Sequence, residues 1–151
     1  MKKEFSLLKT TRENIHKIVT SFSDDQLMTI PKGFKNNLFW NYGHVIVTQQ
    51  LLCYKLSKVD ILISDEIVSK YKKGTIATDN FDSADFKVFN EQCFENIHRM
   101  ESDYNDGVFK SFEKYPTSYG FELNNIEDAI TFNNTHEAVH LGYMMALKKS
   151  L

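Results

Sequence analysis

His136-Glu137-Ala138-Val139-His140 spells H-E-x-x-H. On a helix this spacing puts two imidazoles one turn apart on one face, and a carboxylate between them in sequence. That is the arrangement by which zinc peptidases hold a metal and a general base. Zincins draw their third ligand from downstream of this helix, and the metzincin form adds a further His after a Gly turn. The segment Leu141–Leu151 contains no His, Glu or Asp. A peptidase is therefore not expected, and any third ligand must come from upstream.

Five histidines are present: His16, His44, His98, His136 and His140. Helical spacing sorts them. His44, His136 and His140 fall on apolar stripes. His98 has Glu91, Glu95, Glu101 and Ser102 around it. His16 shares its side with Lys9, Arg12, Glu13 and Thr20, interrupted only by Val19. His16 and His98 read as surface imidazoles. Burying three imidazoles costs roughly a few kcal/mol unless partners are supplied, and a divalent metal supplies one to all three. His44, His136 and His140 are thus the candidate metal ligands, with a buried polar cluster as the alternative reading.

Four segments must position them, each with apolar residues recurring in steps of three and four. The first stripe is Leu8, Thr11, Ile15, Ile18 and Phe22. Ser23-Asp24-Asp25 then caps a short helical turn, which Pro31-Lys32-Gly33 ends. The second helix is expected from about Asn37 to Lys58, with Trp40, His44, Val47, Leu51 and Tyr54 inward. The third follows Asp82-Ser83 and carries Phe86, Phe89, Cys93, Ile97, Met100 and Tyr104. The fourth begins near Asn125, with Ile126, Ala129, Asn133, His136, His140, Tyr143 and Leu147. A long connection joins the second and third helices and holds a short capped helix after Ser64. Lys114–Gly120 reads as a turn-rich loop. The expected fold is all-α, a four-helix bundle with a long crossover between its second and third helices, in a single domain over residues 1–151.

Composition narrows the function classes. The 151 residues are 42% apolar and 25% charged, the balance of an ordinary globular domain. A net charge of −2 without a Lys/Arg cluster leaves no footprint for nucleic acid. No apolar run approaches the ~18 residues of a membrane span, and Met1-Lys2-Lys3-Glu4-Phe5 has no apolar stretch behind it to make a signal peptide. Cys53 and Cys93 are two widely spaced thiols among apolar neighbours, read as packing residues. A cytoplasmic location with reduced thiols is expected.

Two stretches carry a family likeness. Phe39-Trp40-Asn41-Tyr42-Gly43-His44-Val45-Ile46-Val47-Thr48-Gln49-Gln50-Leu51-Leu52 resembles the second helix of DinB-like (DinB/YfiT) proteins. Thr135-His136-Glu137-Ala138-Val139-His140-Leu141-Gly142-Tyr143 resembles their last helix. The order and lengths of the four helices also fit. The resemblance implies a four-helix bundle, often a homodimer, and a divalent metal held by one His of the second helix and two of the fourth, here His44, His136 and His140. It also implies thiol-dependent transferases and isomerases among the relatives, alongside many of unknown activity.

Three neutral imidazoles leave a metal with at least one open position, the mark of a catalytic site. Zinc and nickel both suit nitrogen ligands. The open position would bring the pKa of a bound water near ~7 or hold a low-molecular-weight thiol as thiolate. Glu137, about 100° around the helix from His136, reads either as a residue that orients a ligand or acts as a catalytic base from the rim of the site, or as a solvated carboxylate. Asn133 and Tyr143 flank the histidine pair as pocket or core residues, and Trp40 precedes His44 by one turn as packing. By the family resemblance, the expected function is a metal-dependent enzyme of the thiol S-transferase type acting on a small molecule. A metal-dependent hydrolase or a non-catalytic metal-binding or interaction protein is the alternative.

Overall fold

The computed structural model describes residues 1–78 and 80–151. Its long helices are α1 (Lys2–Val19), α3 (Leu38–Gln49), α5 (Ser83–Asn105) and α6 (Ile126–Leu147). Shorter elements are α2 (Asp24–Met28), α4 (Asp65–Tyr71) and a two-stranded hairpin of β1 (Tyr115–Pro116) and β2 (Glu122–Leu123). The all-α class is as expected. The loop at Lys114–Gly120 is corrected in part, because Tyr115 and Pro116 pair antiparallel with Leu123 and Glu122.

Side-chain caps set where the helices begin, by accepting from backbone N–H groups that the first turn leaves free. Ser23 and Gln26 form a reciprocal capping box on α2. Asn37 Oδ1 accepts from Trp40 N at 2.8 Å, and Asn125 Oδ1 from Asp128 N at 2.7 Å. Ser64 caps α4, and Asp82 caps α5. The second helix does not stay regular. After Gln49 it widens into a π-helical turn over Gln50–Lys55, where Leu56 N reaches back to Leu51 O at 3.3 Å. It closes with Lys58 N on Lys55 O and Val59 N on Tyr54 O, a Schellman end. Lys58 occupies the left-handed position of that end, with φ +57°.

Both α1 and α3 pack against α5 and α6, and α4 lies on α3. The apolar interior falls into two groups. One includes Ile15, Phe39, Tyr42, Phe89, Cys93 and Met144; the other includes Leu8, Leu52, Ile97, Ile130 and Leu123. Between them along the four long segments sit Arg12, Gln49, Asn96, Asn133 and Glu137, all with no exposed surface. A polar layer therefore divides the core. Arg12 is the clearest departure from expectation. It lies one turn after Leu8 on the inward stripe and not on a polar outer face. His16 also departs: it is half-buried, with Nδ1 3.0 Å from Tyr42 Oη and its ring edge-on to Phe94. Burial pushes its pKa down. His98 is exposed, and Cys53 and Cys93 are buried free thiols, as read from the sequence. No helix among the described residues is long and apolar enough to cross a membrane.

Candidate metal centre

α3 delivers His44, and α6 delivers His136 and His140. Each offers one ring nitrogen, and the three nitrogens lie within 4.8 Å of one another. The rings themselves stand 4.5 to 5.2 Å apart, centroid to centroid. The sequence expectation for these three residues is met in placement. Their surroundings then decide which nitrogens are free.

His44 Nδ1 donates to the backbone carbonyl of Tyr71 at 2.7 Å. The tautomer that makes this bond leaves the Nε2 lone pair unprotonated, as a metal ligand requires. His140 Nδ1 donates in the same way to Asn41 Oδ1 at 2.8 Å. Asn41 is itself oriented by donating Nδ2 to Asn37 O at 2.7 Å, so the acceptor faces the histidine. His136 differs. Its Nδ1 is buried and has no hydrogen-bond partner among the described residues. A buried, unsatisfied ring nitrogen beside two imidazoles of fixed tautomer is a donor set that a divalent cation fits.

Electrostatics point the same way. Burial, then the neighbouring His140 and His44, push His136 down to about 2. Burial and His44 push His140 down to about 4. Burial also lowers His44, against the opposing pull of the Tyr71 carbonyl. All three imidazoles are neutral near pH 7, the form that binds metal.

Packing holds α3 in place. The Trp40 ring lies flat on His44, with centroids 4.4 Å apart and planes 12° apart, and its Nε1 donates to Thr75 Oγ1 at 3.0 Å. Gly43 is where α3 meets the Tyr71 and Phe89 rings. A Cβ there would stand 2.6 Å from Phe89 Cζ and 2.7 Å from Tyr71 Cδ1. Only glycine allows this approach, and it places the Tyr71 carbonyl within reach of His44.

The three histidines open onto a cleft of about 510 Å³. Leu51, Leu52 and Phe132 supply its apolar wall, and the hairpin brings Tyr115 and Thr117 to it. The sequence reading missed this cleft because the π turn and the hairpin carry no periodic signal. π turns inside helices recur at functional sites, and here the turn supplies Leu51, Leu52 and Lys55 to the cleft.

Glu137 is placed differently from its sequence readings, whether orienting a ligand or acting as a base from the rim, or solvated as a surface carboxylate. It is fully buried and does not line the cleft. Arg12 Nε donates to its Oε2 at 2.8 Å, Arg12 Nη2 to its Oε1, and Asn133 Nδ2 to Oε1 at 2.9 Å. Arg12 also donates to Cys93 O at 2.9 Å and Gln49 Oε1 at 3.1 Å. One guanidinium thus ties α1 to α3, α5 and α6. Burial alone would lower the Arg12 pKa; the Glu137 carboxylate outweighs it and holds the value above the usual arginine range. The helical phase explains the placement. Counting in turns from Ala129 and Asn133, the inward position is Glu137, and the two histidines sit on the flank facing the cleft. Tyr143 is half-buried against Phe34, and its hydroxyl accepts from Lys35 N at 3.1 Å, away from the cleft.

The chain belongs to the DinB superfamily, whose family model matches residues 7–144. A search of curated proteins returns no match.

Proposed function

We propose that this DinB-superfamily chain is a metal-dependent enzyme of the thiol S-transferase type, with zinc or nickel held by His44, His136 and His140. The observation that carries this reading is the convergence of three neutral imidazoles on an open cleft. A structural zinc site is closed by four protein ligands, whereas three ligands facing open space are the pattern of a catalytic one. When bound, the metal supplies Lewis acidity that lowers the pKa of a thiol or water brought to it.

The chain's own residues prepare that chemistry. Tyr71 O and Asn41 Oδ1 fix the tautomers of His44 and His140. Leu51, Leu52 and Phe132 exclude water from one wall, which strengthens charge interactions inside. Glu137 serves the buried polar layer through Arg12 and Asn133, and takes no proton from substrate. The long helices are read as a four-helix bundle forming one domain over residues 1–151.

Elemental analysis of the purified protein, followed by a conjugation assay pairing electrophiles with several thiols, tests the reading. About one metal per chain is expected, lost together with thiol-dependent turnover in His44→Ala and on chelation. Stoichiometric metal retained after replacing all three histidines by alanine would overturn the site. Metal-dependent cleavage of simple esters or amides without thiol turnover would replace transferase by hydrolase.

A further inference from the structure

Two cations face the same cleft as the histidines. Lys55 closes the π turn, and Lys73 follows the end of α4, so separate elements bring them together. No Asp or Glu among the described residues lines the cleft. Neither lysine forms an ion pair among the described residues, although Lys70, three positions before Lys73, pairs with Glu66, Asp82 and Asp85. Those acidic partners of Lys70 lie outside the histidine cleft, and Asp82 and Asp85 line a separate pocket. Ser118, on the hairpin, adds a hydroxyl that has no hydrogen-bond partner among the described residues.

Those charges have a physical consequence. A cleft with apolar walls and one sign of charge focuses the field and raises the local concentration of oppositely charged ligands. Two ammonium groups beside a divalent cation make the whole cleft cationic. The lysines are exposed whereas the three histidines are buried or half-buried, so a ligand that satisfies both carries two functions. It needs a metal-seeking group at one end and an anionic group at the other.

We infer that Lys55 and Lys73 form an anion-recognition subsite, selecting a small thiol or thiol-derived substrate that carries a carboxylate or a phosphate. The inference rests on the metal-centre reading above. Lysine ammonium groups act as compact point charges on flexible stems, suited to either anion without bidentate geometry. Both side chains are exposed, so their replacement leaves the core and the histidines untouched.

The test uses full-length protein loaded with cobalt(II), whose visible absorption reports occupancy of the histidine site and responds to an added thiol. Four probes are titrated: mercaptosuccinate, mercaptoethyl phosphate, neutral mercaptoethanol and cationic cysteamine. Calorimetry on zinc-loaded protein gives the same affinities independently of colour. We expect at least one anionic probe to bind about tenfold more tightly than mercaptoethanol, and cysteamine to bind more weakly, with the preference shrinking as salt is raised. Which anionic probe leads identifies carboxylate or phosphate as the recognised group. Lys55→Gln and Lys73→Gln should each reduce the preference several-fold, the double variant should abolish it, and Lys→Arg variants should retain it. Cobalt uptake with equal affinities for anionic and neutral thiols would overturn this inference alone. So would a preference that survives in the double variant. Failure to take up cobalt or zinc would overturn the metal centre and this subsite together.

Discussion

Arg12 and Glu137 meet as a two-pronged ion pair in which neither side chain has any exposed surface. Each charge is tolerable there only because of the other. Removing one leaves its partner buried without compensation, at a cost of about 3–5 kcal/mol. Glu137→Ala should therefore lower the urea unfolding midpoint severely. Replacing both, as Arg12→Met with Glu137→Leu, should recover most of the loss, since well-packed apolar residues often substitute for a buried pair at little cost. Equal midpoints for wild type and Glu137→Ala would contradict the structure.

Gly43 supplies a second prediction. Gly43→Ala forces a methyl group into the Tyr71 and Phe89 rings. Overpacking of this kind costs about 1–3 kcal/mol. Because the displaced Tyr71 also carries the carbonyl that orients His44, metal affinity should fall together with Tm. Competition against a chromogenic chelator measures the first, and thermal unfolding of chelated protein the second. A variant that loses stability but binds metal as tightly as wild type would break the proposed link.

The histidines set the pH response of the metal-free protein. Their folded pKa values lie below the unfolded value of about 6.5, at about 4 for His140 and about 2 for His136. Between those values the unfolded chain binds more protons than the folded one, so stability rises with pH in that window. It is fully present above about pH 6.5 and falls as the solution is acidified towards pH 4. Each histidine contributes about 1.4 kcal/mol per pH unit across its own window. Urea titrations of chelated protein at pH 7.5 and pH 5 should differ, and a His136→Gln, His140→Gln variant should show a flatter profile. A wild-type midpoint that holds constant across that range is the contrary result.

Lys58 offers a stabilising change. It holds the left-handed position of the helix end that follows the π turn, where a side chain costs about 1–2 kcal/mol. Lys58→Gly removes that strain while leaving both closing backbone bonds possible, against some gain of freedom in the unfolded chain. A net rise in Tm is expected in calorimetry, with metal content unchanged.

Much of the architecture could be read from apolar spacing, because α1, α3, α5 and α6 each keep a continuous stripe, and α3, α5 and α6 begin at a side-chain cap. The histidine cluster was legible for a related reason. His136 and His140 are one turn apart, and His44 was the remaining inward histidine. The polar layer was not legible, since a charged residue with polar neighbours reads as solvated. Arg12 sits among Lys9 and Glu13, and its partner lies on another helix, so no local pattern joins them. A sharper signal was present in its phase, one turn from Leu8 and beside Thr11 on the inward stripe. The cleft was hidden for a different reason. Strands of two residues show no alternation, and a π turn shifts the inward face without changing composition.

The indole lying flat on His44 belongs to the chain's one tryptophan. Its ultraviolet emission is consequently a built-in optical gauge of the imidazole it touches. A paramagnetic ion such as copper(II) or nickel(II) seated on that imidazole would quench the emission at short range, whereas diamagnetic zinc would mainly shift it. Filling of the histidine cluster can thus be followed in unlabelled protein, without an assay and without knowledge of the substrate.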